Sequence, residues 1–226
     1  MRILILGRGK TGNLVAEVAR LRGHDVQVAG SSENLNGSAL TPSNLRDVEM
    51  VIDFTTPAAV IENIKTCVRA GKNMVVGTTG WYSELANVHE MVEKSRTGFI
   101  YGTNFSIGVN LFFEITRTAA AAATYGYHGQ IFERHHKDKK DAPSGTALAI
   151  QKVFRDVSGK ELEIISFREG EVVGLHEVML ESAHDTIYVC HDAMSRRGFA
   201  EGAVRAAEWL RGKTGFFDFK DIWREI

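Results

Sequence analysis

The stretch RILILGRGKTGNLVAEVARL, residues 2–21, decides the fold. Residues 2–6 are a short apolar run ended by Gly7, and from Leu14 the apolar residues Val15, Val18, Ala19 and Leu21 recur at helical spacing. The pattern is strand, glycine turn, helix. Gly7, Gly9 and Gly12 match GxGxxG in the setting that gives the motif meaning, directly after a strand and at the head of a helix. The first glycine permits a tight turn, the second lets backbone approach a pyrophosphate, and the third lets helix pack on strand. The helix start adds free amides and a partial positive charge for an anion. Alone, the motif is also met as a simple turn.

Reading outward, HDVQVAG (24–30), VEMVIDF (48–54), NMVVG (73–77) and GFIYG (98–102) are strands, with AAVIENIKTCVRAG (58–71) and SELANVHEMVEKSR (83–96) as helices between them. SSENLNGSALTPSNL (31–45) is polar and loop-like. The near-continuous apolar strands suit a parallel sheet covered on both faces, so the first hundred residues predict a Rossmann-type, doubly wound α/β domain. VGTTGW (76–81) and GTNFS (102–106) each follow a strand, at the edge where open α/β sheets bind ligands. The rhythm changes after Asn104. GVNLFFEITRTAAAAATY (108–125) is helical and GQIFERHH (129–136) a strand. ELEIISFRE (161–169), VVGLHEVMLES (172–182) and HDTIYVCHDA (184–193) read as antiparallel strands of a second, α+β domain with a mixed or antiparallel sheet. RRGFAEGAVRAAEWLRG (196–212) is a last amphipathic helix, and FFDFKDIW (216–223) an aromatic tail.

Composition narrows the function. The 226 residues carry 27 Lys and Arg against 28 Asp and Glu, so no global field recruits nucleic acid or a membrane surface, and an acidic partner must be held by local charge. Cys67 and Cys190 are too few for a disulfide framework, and no apolar run suggests a leader or a membrane span. The expectation is reduced thiols in a cytoplasmic protein. The usual acidic residue at the end of the second strand is missing from VQVAGSSEN, where Glu33 comes only after Gly30, Ser31 and Ser32. A 2'-phosphate is therefore tolerated, with Lys10 placed to pair with it, and NADPH use is expected.

Local charge of the right kind stands in ERHHKDKKDAPSGTALAI, residues 133–150. Reducing a carbon–nitrogen double bond or its conjugated extension leaves negative charge that a proton or cation must meet, and a histidine or lysine serves. On a strand, His135 and His136 point to opposite faces and take different roles. Lys137, Lys139 and Lys140 bring cations. Pro143 suits a first helical turn, leaving the amides of Ser144, Gly145 and Thr146 for a carboxylate. The plainer alternative is a solvated charge run leading into an ordinary helix cap. His135, His136, His176, His184 and His191 all fall in the second half, yet no HExxH or Cys/His spacing appears and no metal is expected.

Taken together, GRGKTG, VIDFTTP, VVGTTGW, NFSIGVN, ERHHKDKKDAPSGTA and HDAMSRRGFAEGAVRAAEWL come in the order seen in the dihydrodipicolinate (4-hydroxy-tetrahydrodipicolinate) reductase family, which the chain resembles over its length. The resemblance implies NAD(P)H-dependent reduction of 4-hydroxy-tetrahydrodipicolinate to tetrahydrodipicolinate in lysine and diaminopimelate biosynthesis, by a homotetramer using NADPH or NADH. It implies His135 and Lys139 as catalytic, and His136, Gly145 and Thr146 as substrate-binding. The cofactor contacts it implies are Gly7, Arg8, Gly9, Lys10, Thr11 and Gly12, then Gly77, Thr78 and Thr79, then Gly102, Thr103, Asn104 and Phe105. Residues 1–104 form the dinucleotide domain, with 199–226 packing back on it, and 105–198 the substrate-binding and oligomerisation domain, with a hinge near Asn104. Only 17 residues separate Gly30 from Val48, so a segment that longer members carry there is trimmed. The competing expectations are a reductase of another imino or amino dicarboxylate and a dinucleotide-sensing protein without catalysis.

Overall fold

A computed structural model describes residues 1–226. β1 (Arg2–Leu6) passes through the glycine turn into α1 (Lys10–Leu21), and β2 (Asp25–Ala29) follows. The polar stretch holds only a single 3-10 turn and the four-residue α2 (Pro42–Leu45). Then come β3 (Met50–Asp53), α3 (Pro57–Arg69), β4 (Asn73–Val76), α4 (Leu85–Ser95) and β5 (Gly98–Tyr101). Strand residues alternate between faces. Leu4, Leu6, Val51, Met74 and Val76 meet Val60 and Ile64 of α3 and Val88 and Val92 of α4 in one buried cluster.

A second unit, Ile107–Arg196, starts with α5 (Ile107–Ala119), whose alanine-rich end tightens to a 3-10 helix closed by Gly126 in the left-handed conformation. β6 (His128–His135), α6 (Gly145–Ser158), β7 (Glu163–Arg168), β8 (Leu175–Glu181) and β9 (Thr186–Asp192) follow. The sheet order is β7-β6-β8-β9. β7 is not antiparallel as its sequence suggested. It pairs parallel to β6 because α6 carries the chain back across the sheet, while β8 and β9 form an antiparallel hairpin. Ile131, Val178 and Leu180 face α5 and α6, meeting Phe112, Ile150 and Phe154. Register and alternation put Phe132, Ile165, Phe167, Met179 and Tyr188 on the opposite face, where Tyr188 is 63% and Phe167 38% exposed.

The chain then rejoins the first unit, Met1–Ser106 with Arg197–Ile226. α7 (Arg197–Leu210) packs beside α1, and the aromatic tail is more than a tail: β10 (Gly215–Asp218) pairs parallel with β5 and runs into α8 (Phe219–Ile222). Phe216 stacks on Phe99 with ring centroids 5.2 Å apart, which seats this short strand. The first sheet therefore has six parallel strands in the order β10-β5-β4-β3-β1-β2. No helix is long and apolar enough to cross a membrane. Cys67 is buried and Cys190 exposed, and both are free.

Candidate active site

In the first unit the three glycines of the turn separate by cause. Gly7 has φ +107°, and a side-chain carbon there would strike the Phe54 carbonyl. One at Gly12 would strike the carbonyl of Gly7. One at Gly9 would meet no protein atom within 4 Å, and Gly9 has an ordinary φ of −70°. Backbone strain and packing demand glycine at the first and third positions only. At the second, the space is left open at the start of α1, where Lys10, Thr11 and Gly12 offer amides without partners and no acidic residue stands in the first turn. These residues fit a dinucleotide pyrophosphate.

The other two loops of this edge are shaped from below by Asp53, a fully buried carboxylate that sequence reading passed over inside an apolar strand. It accepts hydrogen bonds from the Thr55 amide at 2.9 Å, the Thr55 and Thr78 hydroxyls at 2.7 Å each, and Asn63 at 2.8 Å. Burial pushes its pKa up against the pull of those donors. Thr78 also accepts from the Thr55 amide, and its carbonyl accepts from the Trp81 indole at 2.8 Å, so its side chain belongs to the scaffold. A side-chain carbon at Gly77 would enter the Phe54 ring, and one at Gly102 would lie 2.9 Å from Phe219. Phe105 is core, 4.6 Å from the Phe219 ring, and Asn104 accepts from the Ser106 amide at 2.9 Å. Thr79 and Thr103 are the exposed side chains of these loops.

The structure corrects the reading of the second strand's end. Glu33 folds back so that its carboxylate accepts from the Gly30 amide at 2.7 Å, immediately beyond β2, and pairs with Arg8 at 2.9 Å. Arg8 also donates to the Val28 carbonyl at 3.0 Å. A carboxylate thus does stand at that strand's end. It was hidden because a turn, with the Asn34 amide on the Gly30 carbonyl, returns a residue three positions further along.

In the second unit, alternation on β6 puts Glu133 and His135 on the helix-facing side, both buried, while half-buried His136 lies one residue past the strand. Glu133 is registered with Ser166 of β7 and His176 of β8, and His135 with Arg168 of β7. One Glu133 oxygen bonds His135 Nδ1. The other accepts from Arg168 at 2.7 Å and from the Ser144 amide at 3.3 Å. The carboxylate assigns the ring hydrogen to Nδ1, leaving Nε2 as the free nitrogen. Burial alone would raise the Glu133 carboxyl, yet Arg168, Ser166 and His135 together hold it at about 2. Burial lowers the pKa of His135, helped by the charges of Lys139 and Arg168 and opposed by Glu133. Burial and neighbouring His135 lower that of His176 to about 4.

Lys139 is gripped by Asp141 at 2.8 and 2.9 Å. Pro143 lies before the helix, and Ser144 is the cap: its hydroxyl accepts from the Ala147 amide at 3.2 Å and lies 3.1 Å from His176 Nε2. With its own amide on Glu133, Ser144 is withdrawn from ligand duty. The amides of Gly145 and Thr146 remain without partners, and a side-chain carbon at Gly145 would meet nothing within 4 Å. Glu133, His135 and His176 lie close enough together to suggest a metal site. Their donor set does not suit one, because Glu133 bonds His135 directly and holds a guanidinium, and His176 Nε2 is engaged by Ser144.

A Rossmann unit with an anion-ready glycine turn and, in the same chain, an α+β unit carrying a buried imidazole, an ammonium and open helix amides define a nicotinamide-dependent reductase of the two-domain kind. Comparison with known proteins makes the class specific. Residues 1–105 match the family model "Dihydrodipicolinate reductase, N-terminus" and residues 108–223 its C-terminus counterpart. The chain belongs to the dihydrodipicolinate reductase family. It is 37% identical to the 4-hydroxy-tetrahydrodipicolinate reductase of Christiangramia forsetii over 100% of this chain and 99% of that protein. It is 36% identical to that of Neisseria meningitidis serogroup B over 79% and 73%. The fold matches a dipicolinate-bound dihydrodipicolinate reductase from Paenisporosarcina sp. TG-14 with TM-score 0.77 and 23% identity, covering 98% and 99% of the two chains.

Proposed function

We propose that this chain reduces 4-hydroxy-tetrahydrodipicolinate to tetrahydrodipicolinate with NAD(P)H, with loss of water from the ring, in diaminopimelate and lysine biosynthesis in the cytoplasm. The observation that carries the reading is the gathering, along one strand, loop and helix start, of His135, Lys139 and the partnerless amides of Gly145 and Thr146. Residues 1–104 with 199–226 form the dinucleotide domain and 105–198 the substrate domain. When bound, the nicotinamide supplies the hydride for ring carbon C4. Lys139 carries the proton that the ring takes up. Neutral His135, with Nδ1–H on Glu133, turns Nε2 to the substrate. His136 and the start of α6 hold the carboxylates, where helix amides and the macrodipole favour negative charge. Gly9 and the first amides of α1 hold the pyrophosphate, while Thr79 and Thr103 reach the remainder of the cofactor.

Two glycines test this without disturbing the fold. Neither Gly9 nor Gly145 needs to be glycine for packing, so Gly→Ala at either site leaves stability equal or raises it by up to about 1 kcal/mol. Gly145→Ala is expected to raise KM for the dicarboxylate at least tenfold and leave KM for NAD(P)H unchanged. Gly9→Ala gives the reverse. Wild-type constants in both variants overturn the reading.

Both cofactors are accepted in this proposal, and Glu33 sets the balance. Its carboxylate suits ribose hydroxyls and repels a 2'-phosphate, whereas Arg8 and Lys10 attract one. Glu33→Gln removes that negative charge and keeps the shape of the side chain. The ratio of kcat/KM for NADPH to that for NADH is expected to rise, and an unchanged ratio removes Glu33 from cofactor choice.

The chain assembles as a homotetramer through the open sheet face of Phe132, Ile165, Phe167, Met179 and Tyr188. Sedimentation is expected to show four chains of 25.0 kDa each. Phe167→Lys with Tyr188→Lys is expected to yield smaller species, since charge without a partner is costly in a buried interface.

A further inference from the structure

Arg168 lies outside the signature stretch, on the neighbouring strand β7, yet one of its nitrogens serves both halves of the proton-handling machinery. Nη2 donates to Glu133 at 2.7 Å and to the carbonyl of Asp141 at 2.5 Å, and Nη1 donates to the Phe167 carbonyl at 2.7 Å. Glu133 grips His135, and Asp141 grips Lys139. The parallel pairing of β6 with β7 sets His135 and Arg168 side by side, so the guanidinium is delivered by the sheet and the loop is then tied to it. We propose that Arg168 is a positioning residue that couples the two proton-carrying groups, fixing the imidazole of His135 through Glu133 and the arm bearing Lys139 through the Asp141 backbone.

The proposal rests on the assignment of His135 and Lys139 as that pair. Its electrostatic consequence is specific. The charged or titratable groups facing His135 are Glu133 on its own strand, Lys139 in the following loop, Arg168 on β7 and His176 on β8. His191 of β9 stands behind His176, and Asp141 beside Lys139. Arg168 is the member of this set that opposes protonation of His135 by charge while holding its carboxylate partner in place. Removing the guanidinium raises the pH at which the ring titrates and loosens both arms.

The ring resonances of histidine in the full-length protein, with that of His135 assigned by its loss in His135→Ala, report the titration without substrate or cofactor. In Arg168→Met, His135 is expected to titrate at higher pH than in the wild type, and kcat to fall on the order of 100-fold, as when reacting groups are displaced by an ångström or so. Arg168→Lys keeps the charge, so the ring titration stays near that of the wild type. A lysine ammonium is a single nitrogen on a flexible stem and lacks the planar group whose second nitrogen is held on the Phe167 carbonyl, so it is not fixed between Glu133 and Asp141 and kcat remains about tenfold low. It also serves if the Met variant does not fold. Loss of kcat with an unmoved titration in Arg168→Met means only a structural role and overturns the proposal, as does wild-type kcat in either variant. Full turnover in His135→Ala instead sinks the underlying assignment of the catalytic histidine.

Discussion

His135→Ala and Lys139→Ala are each expected to lower kcat by about 10²- to 10⁴-fold, the range typical of a positioned proton donor or acceptor, with little change in KM for NAD(P)H. The fold should survive both. Without the imidazole, Glu133 still has Arg168 and the Ser144 amide, so no buried charge is left alone. Without the ammonium, Asp141 faces solvent. Because burial and adjacent cations lower the pKa of His135, the neutral ring persists below the ordinary histidine range, and kcat/KM should fall on acidification only at pH below about 6.5. Steady-state kinetics across pH, with circular dichroism on each variant, check the pair. Unchanged turnover in both removes the assigned roles.

Glu133→Ala is expected to be the most destabilising single change in the second unit. It strands the Arg168 guanidinium, whose Nε is already buried without a partner, and breaking a buried pair from one side costs about 3–5 kcal/mol. The same cluster makes stability sensitive to acid. His176 has its pKa lowered to about 4 in the fold from 6.5, so the unfolded chain binds a proton that the fold refuses between those values. Its contribution, about 3 kcal/mol, is complete above pH 6.5 and is lost as pH falls through about 4. Glu133, held at about 2 against 4.5, contributes fully above pH 4.5 and loses that contribution as pH falls through about 2. Both losses run in the same direction, with His176 first. Urea denaturation from pH 7.5 to 4.5 should show a falling midpoint in the wild type and a flatter one in His176→Gln. Equal slopes in the two proteins exclude His176 as the cause.

The alternation of apolar strand and helix in residues 1–102 was enough to read the Rossmann unit, because the central strands β1, β3, β4 and β5 are buried along nearly their whole length and each carries its own signal. The second unit was legible in its elements and not in their directions. β7 looks like its neighbours in composition, and only the length of α6 as a crossover makes it parallel to β6. The tail hid β10 because four residues rich in aromatics show no period. In the candidate site, His135, Lys139, Gly145 and Thr146 stand in one short stretch and declare themselves. Glu133 opens the same stretch and was given no role, since burial is not visible in sequence. Arg168 and His176 come from other strands, brought in by register. Glu33 was dismissed for its distance from β2, which a turn erases. Fold class follows from local pattern, and the proposed acid–base pair from the signature stretch that carries the family resemblance. The groups that tune them depend on long-range pairing, which no local pattern encodes.

The most direct test of the whole account follows one atom. Purified protein is given the product of the preceding synthase and NAD(P)H carrying deuterium at both C4 positions of the nicotinamide, and the tetrahydrodipicolinate is examined by NMR. The account predicts one deuterium at ring carbon C4, with Gly145→Ala slowing its appearance at low substrate. Oxidation of the cofactor with deuterium at any other ring position, or no oxidation while the Christiangramia forsetii relative turns over beside it, would contradict it.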